Sequence, residues 1–242
     1  MSIHTEYTSY SVESTIFKGY LAWDETTNEK RPGVLVFPEW WGMNEYIQKR
    51  TKQIAELGFV AMGVDMYGEG KTVDNPDEAG SLMNTVISDK KIVKDRVQAA
   101  YNVLKGHPLS DSRRLGAIGY CFGGALVLNM ARLGMDLRAV VSFHGALDSF
   151  HTPVAGEIKA EVLVCHGASD QFISQEAIDQ FKSEMDTARA IFEFISYEGA
   201  LHGFSNPAAD ERGKKFNLPL AYNENADRKS WEAMKTLFER VL

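Results

Sequence analysis

Short runs of consecutive apolar residues recur along the chain, and between them apolar residues return every three or four positions. Residues 34–37, 59–64, 115–119, 139–143, 161–165 and 190–195 form the first kind of run. Their continuous apolar character suits strands buried on both faces of a parallel sheet. Residues 14–23 alternate only partly but carry aromatic and β-branched side chains, which predicts an earlier strand. Helical spacing appears over 45–57 (Tyr46, Ile47, Ile54, Leu57), with Gly58 in the place where a helix ends. It returns over 76–105, with a break near Ser88-Asp89, and over 175–185 and 227–241. The first half of the long segment, 76–88, is a candidate cap over a pocket. Strands alternating with helices predict an α/β fold, a mostly parallel central sheet with helices on both faces. No repeat or long linker interrupts the pattern, so residues 1–242 are expected to form one domain.

Composition narrows the function classes. A net charge of −7, without a basic cluster, argues against nucleic acid or anionic membrane as a partner. No apolar run approaches the roughly 20 residues of a membrane span, and the first residues lack the basic and apolar segments of a signal peptide. A cytoplasmic location is therefore expected. The two cysteines, Cys121 and Cys165, suit reduced thiols better than a disulfide framework.

The chemistry concentrates at Gly119-Tyr120-Cys121-Phe122-Gly123-Gly124, between the strand-like run ending at 119 and a helix-like run from 125. A strand that turns at once into a helix around one reactive residue is a nucleophile elbow. Its tight turn requires small neighbours, which the glycines at 119 and 123 supply. The helix N-terminus favours an anion and offers backbone N–H groups to an oxyanion. A nucleophile needs a base, and the base an orienting acid, in the chain order nucleophile, acid, histidine. Asp170 follows the run ending at Cys165, and His202 follows the last strand. Competing readings exist for each. Cys165 reads as a small buried hydrophobe, and Asp170 could simply cap a helix. His144 and His166 could line the same sheet edge, whereas His4, His107 and His151 look like surface or turn residues.

Glu39-Trp40 follows the strand ending at Phe37, where such folds supply a second oxyanion donor. The expected donors are the backbone N–H groups of Trp40 and Phe122. A carboxylate at position 39 near the thiol would disfavour the thiolate. The plainer readings are a solvent-facing Glu39 and a hydrophobic lid of Trp40 and Trp41. Gly70-Lys71-Thr72 lacks the first glycine of a phosphate-binding loop, and no residues show zinc-ligand spacing.

Together, Gly119-Tyr-Cys-Phe-Gly-Gly124, Pro38-Glu-Trp-Trp-Gly42, the Asp170 loop and His202-Gly-Phe204 resemble the dienelactone hydrolase (carboxymethylenebutenolidase) family over nearly the whole chain. The resemblance implies an α/β-hydrolase fold and a Cys121–His202–Asp170 triad, with Glu39 gating thiolate formation. It implies a small ester or lactone substrate and no metal or organic cofactor. Tyr67, Trp41, Phe204 and Asn206 are the expected substrate contacts, in a monomer or small homo-oligomer. Well-known members hold a substrate carboxylate with two arginines; Glu69 and Asn206 occupy those places here. The competing functions are a broad carboxylesterase or thioesterase, and a non-catalytic protein with a reactive thiol.

Overall fold

The apolar runs become eight strands, hydrogen-bonded in the order β1-β2-β4-β3-β5-β6-β7-β8 in the computed structural model, which describes all 242 residues. The chain divides into two compact units, Met1–Ile118 and Gly119–Leu242.

The first unit holds β1 (Ile3–Val12), β2 (Thr15–Asp24), β3 (Arg31–Phe37), α1 (Glu45–Glu56), β4 (Val60–Gly63), α2 (Pro76–Ile87), α3 (Lys90–Gly106) and most of β5 (Ser110–Tyr120). β1 and β2 form an antiparallel hairpin that pairs Val12 with Thr15, β2 runs antiparallel to β4, and β3 runs parallel to β4. Val34, Leu35, Val36 and Phe37 expose nothing, which is why their run is unbroken by polar residues. Local signals set the helix ends. Asn44 caps α1 by accepting from the Ile47 N–H at 3.3 Å, and Asn75 caps α2 just before Pro76. Asp89 starts α3 by accepting from the Lys91 N–H at 2.8 Å, which accounts for the break near Ser88-Asp89. α2 lies beside Trp40, since a Cβ on Gly80 would sit 3.9 Å from that indole.

The second unit holds α4 (Phe122–Arg132), β6 (Ala139–Phe143), β7 (Glu161–Gly167), α5 (Gln175–Thr187), β8 (Phe192–Tyr197), α6 (Ala209–Phe216) and α7 (Glu224–Val241). β6, β7 and β8 are parallel, with Phe143 opposite Cys165 and Cys165 opposite Ile195. Arg132, at the end of α4, is fully buried. Its guanidinium holds Glu184 of α5 at 2.7 Å and the carbonyl of Leu147 at 2.8 Å. A buried charge is tolerable only with such complete pairing, so this fork fixes α4 against α5 and the loop after β6.

Two elements lie outside the apolar pattern. β1 carries mostly Thr, Ser, Tyr and charged residues because it pairs with one neighbour and leaves much of its surface in water. α6 buries only Ala209 and Gly213, too little to produce an apolar stripe. No helix is long and apolar enough to cross a membrane.

Candidate active site

Cys121 stands where β5 passes into α4, with φ +53° and ψ −115°. Such a positive φ is strained for a residue carrying a Cβ and persists only when its surroundings enforce it. Those surroundings are visible. The Cys121 N–H donates to the Phe143 carbonyl at 3.0 Å and points at His144 Nδ1 at 3.2 Å. The Cys121 carbonyl accepts from the Ala125 N–H at 3.2 Å in the first turn of the helix. A side chain on Gly119 would run into the Gly123 carbonyl, and a Cβ on Gly124 would sit 2.7 Å from Ser142 Oγ and 2.8 Å from the Gly145 Cα. Gly124→Ala is therefore expected to destabilise the protein by about 2 kcal/mol, the cost of overpacking against backbone that cannot yield. At this chain length that corresponds to roughly 4–8 °C in Tm, read from a thermal melt.

Asp170 follows β7 on a turn closed by its own N–H to the Gly167 carbonyl at 2.9 Å. Its side chain is wholly buried, and both oxygens are engaged. Oδ2 lies 2.8 Å from His202 Nδ1, and Oδ1 accepts from the Phe172 N–H at 2.9 Å. The helix-cap reading of Asp170 does not hold, because Ser174 caps α5 through the Ala177 N–H at 3.1 Å. A carboxylate can only accept, so Nδ1 of His202 carries the hydrogen and Nε2 is left to the thiol.

His202 sits after β8, buried, and hydrogen-bonds the Cys121 side chain. Burial works against a charged ring there. The opposing pull of the Cys121 sulfur and of Asp170 wins, and the imidazole is pushed up to about 10. The site thus favours a protonated His202 beside the Cys121 sulfur.

His144 is a member of this cluster that the chain order alone could not select. It follows β6 at φ +42°, its ring centroid is 5.2 Å from that of His202, and Nε2 lies 2.8 Å from Ser205 Oγ. Since Nδ1 faces the Cys121 N–H, its proton resides on Nε2 and goes to Ser205. The His166 ring lies 5.5 Å from that of Phe194, tilted by 45°, and is lowered in pKa chiefly by burial. Cys165 is fully buried, and burial pushes its thiol up to about 12; it packs as a small hydrophobe.

The other expected site residues are placed as follows. Phe122 opens α4. Phe204 exposes none of its surface and sets its ring against His144 at 5.1 Å. Asn206 is buried, with Oδ1 accepting from the Ala208 N–H at 2.9 Å. In the first unit, Glu39 is only 5% exposed, so the solvent-facing reading does not hold. Trp41 is buried edge-on to the half-buried Trp40 at 4.9 Å. The Tyr67 hydroxyl donates to the Trp40 carbonyl at 2.7 Å. Tyr67 is itself held by Asp65, whose carboxylate accepts the N–H groups of Lys18, Tyr67, Gly68 and Gly70 at 2.8–3.0 Å. No group of three or more His, Cys, Asp or Glu side chains is gathered as a metal would need.

Comparison with known proteins gives this arrangement its family. A model of the dienelactone hydrolase family matches residues 17–242. A dienelactone hydrolase-like promiscuous phosphotriesterase from metagenomic libraries has a crystal structure that superposes with a TM-score of 0.92. It is 34% identical, over 100% of this chain and 99% of that one. A protein of Bradyrhizobium named as a probable 2-oxo-3-(5-oxofuran-2-ylidene)propanoate lactonase is 31% identical over 76% of this chain and 77% of its own. Protein usf of Aquifex pyrophilus is 30% identical over 80% of this chain and 84% of its own. An elbow, an acid and a histidine in this order, within a family match of this extent, lead to one conclusion: the chain belongs to the dienelactone hydrolase family and is a hydrolase of ester or lactone bonds.

Proposed function

We propose that hydrolysis runs through a Cys121–His202–Asp170 triad in a single α/β-hydrolase domain, the family match running unbroken through residue 118. The observation that carries the proposal is the series Asp170 Oδ2, His202 Nδ1 at 2.8 Å, and the His202–Cys121 hydrogen bond, with Cys121 held at a helix N-terminus. The Cys121 sulfur attacks the ester or lactone carbonyl, forming a carbon–sulfur bond, and the carbonyl electrons move onto oxygen. The Phe122 N–H, in the first turn of α4, receives that oxyanion. As the tetrahedral intermediate collapses, the carbon–oxygen bond breaks and the leaving alkoxide takes the proton from His202 Nε2. The neutral ring then removes a proton from water, which attacks the thioester; the carbon–sulfur bond breaks, the acid leaves, and the ring returns its proton to the sulfur.

Within the first unit, Glu39 is buried on the loop after β3, and the Tyr67 hydroxyl holds the Trp40 carbonyl of the same loop at 2.7 Å. Tyr67→Phe removes that bond and is expected to lower stability by about 1 kcal/mol, read from a thermal melt.

Intact-mass spectrometry after mixing with a short aryl ester tests the mechanism. A mono-acyl adduct is expected on wild type and Cys165→Ala and none on Cys121→Ala; an adduct that persists in Cys121→Ala would overturn the assignment. A second reading, cleavage of aryl phosphotriesters by the same thiol, is favoured by the phosphotriesterase of matching length and 34% identity. It predicts a phosphoryl adduct on Cys121 from a dialkyl aryl phosphate, with release of the aryl oxide. The reactive-thiol alternative lacks a resolving partner, since Cys165 is enclosed.

A further inference from the structure

Of thirteen phenylalanines, Phe172 is the one that stands among the exposed large hydrophobic residues, with 52% of its surface in water. Its ring meets His202, edge to face at 5.0 Å and 75°. Its position is not slack. The Phe172 N–H is held by Asp170 Oδ1 at 2.9 Å, so the turn that carries the acid also fixes the aromatic. A large apolar ring left half in water forgoes stabilisation that burial would supply. An aromatic ring set against a functional histidine and half open to water can pair with an aromatic group that arrives there.

We infer that Phe172 determines specificity for the alcohol part of the substrate, selecting esters whose leaving group is arylmethyl or aryl. The inference rests on the triad mechanism above, because His202 is the group that protonates the leaving alkoxide. The alcohol portion must then depart beside the His202 ring, where the open surface of Phe172 lies. An aromatic leaving group can pair with that ring and remove its exposed surface from water, whereas a polar chain of similar length cannot. Aromatic pairing of this kind corresponds to up to about tenfold in kcat/KM.

The test compares benzyl acetate with 2-methoxyethyl acetate, which share the acyl group and have alcohols of similar acidity. The ratio of their kcat/KM values is expected to fall about tenfold in Phe172→Ala and to recover in Phe172→Trp. A ratio unchanged within about twofold, whatever the absolute rates, overturns the inference and leaves Phe172 a support for His202. Intact mass in the same samples keeps the two readings apart. An acetyl adduct on Cys121 from both esters, with the ratio unchanged, overturns the role of Phe172 while the thiol mechanism stands. Wild-type turnover by Cys121→Ala would overturn the mechanism and this inference with it.

Discussion

Cys121→Ala is expected to lower kcat on an aryl ester by at least about 10⁴-fold, the scale on which enzymes lose activity with their nucleophile. Folding should survive. Alanine keeps the Cβ, so the strain at φ +53° remains, and the N–H and carbonyl bonds of residue 121 are made by backbone. What changes is His202. Burial opposes its charge, and the Cys121 sulfur leads the interactions that overcome it. Without the sulfur the ring should titrate well below its wild-type value of about 10, which nuclear magnetic resonance of the imidazole would follow. The same change should appear in stability. Folding raises the pKa of this ring, so its contribution is complete below about pH 6.5, the unfolded value. It is lost as pH rises toward about 10. The difference in unfolding free energy between wild type and Cys121→Ala should therefore shrink across that window. Cys121→Gly should be more stable than Cys121→Ala by about 1 kcal/mol, because glycine accepts this backbone conformation without strain.

The elbow was legible in the sequence because its requirement is local. Glycines at 119 and 123 are needed where the chain turns, and the reactive residue is flanked by them. Asp170 and His202 were legible from chain order, because loops after successive parallel strands emerge at one sheet edge. His144 and Ser205 were not. Their pairing at 2.8 Å depends on where the loop after β6 meets the chain beyond His202, sixty-one residues away, and nothing local marks it. Gly124 carries no separate signal in the sequence, and only its closeness to Ser142 and Gly145 shows that it must be small. β1 escaped because an edge strand with much of its surface in water has no apolar run to display. Phe172 escaped for the opposite reason. An aromatic in a sequence reads as core, and the structure leaves this one half exposed.

These observations tie the elbow to the acid loop. The fork of Arg132 and Glu184 joins the helix that Cys121 begins to α5, which follows the Asp170 turn. His144 reaches the Cys121 N–H on one side and packs against His202 on the other. Cys121 and His202 are therefore held by a shared set of contacts, the kind of support a preorganised site requires. The loops of the first unit show the same economy, with one carboxylate, Asp65, ordering the backbone on which Tyr67 reaches Trp40.

Asp170→Asn tests that preorganisation most sharply, and it is expected to lower kcat/KM by about 10⁴-fold with the fold intact. The size follows from which oxygen does what. Oδ1 accepts from the Phe172 N–H and Oδ2 faces His202 Nδ1. An asparagine has one acceptor and one donor to place. The backbone N–H of Phe172 can only donate, so it claims the amide oxygen, and the amide NH₂ is turned toward His202. Nδ1 must then become an acceptor, and the ring proton moves to Nε2, the nitrogen that should receive the proton of Cys121. The ring also loses the carboxylate that helps to raise it, so an imidazolium beside the Cys121 sulfur is less favoured. Alkylation of Cys121 by iodoacetamide near pH 7 should slow accordingly, a readout independent of any ester. If the variant alkylates and turns over at the wild-type rate, Asp170 is only a turn-former and the triad must be reassigned.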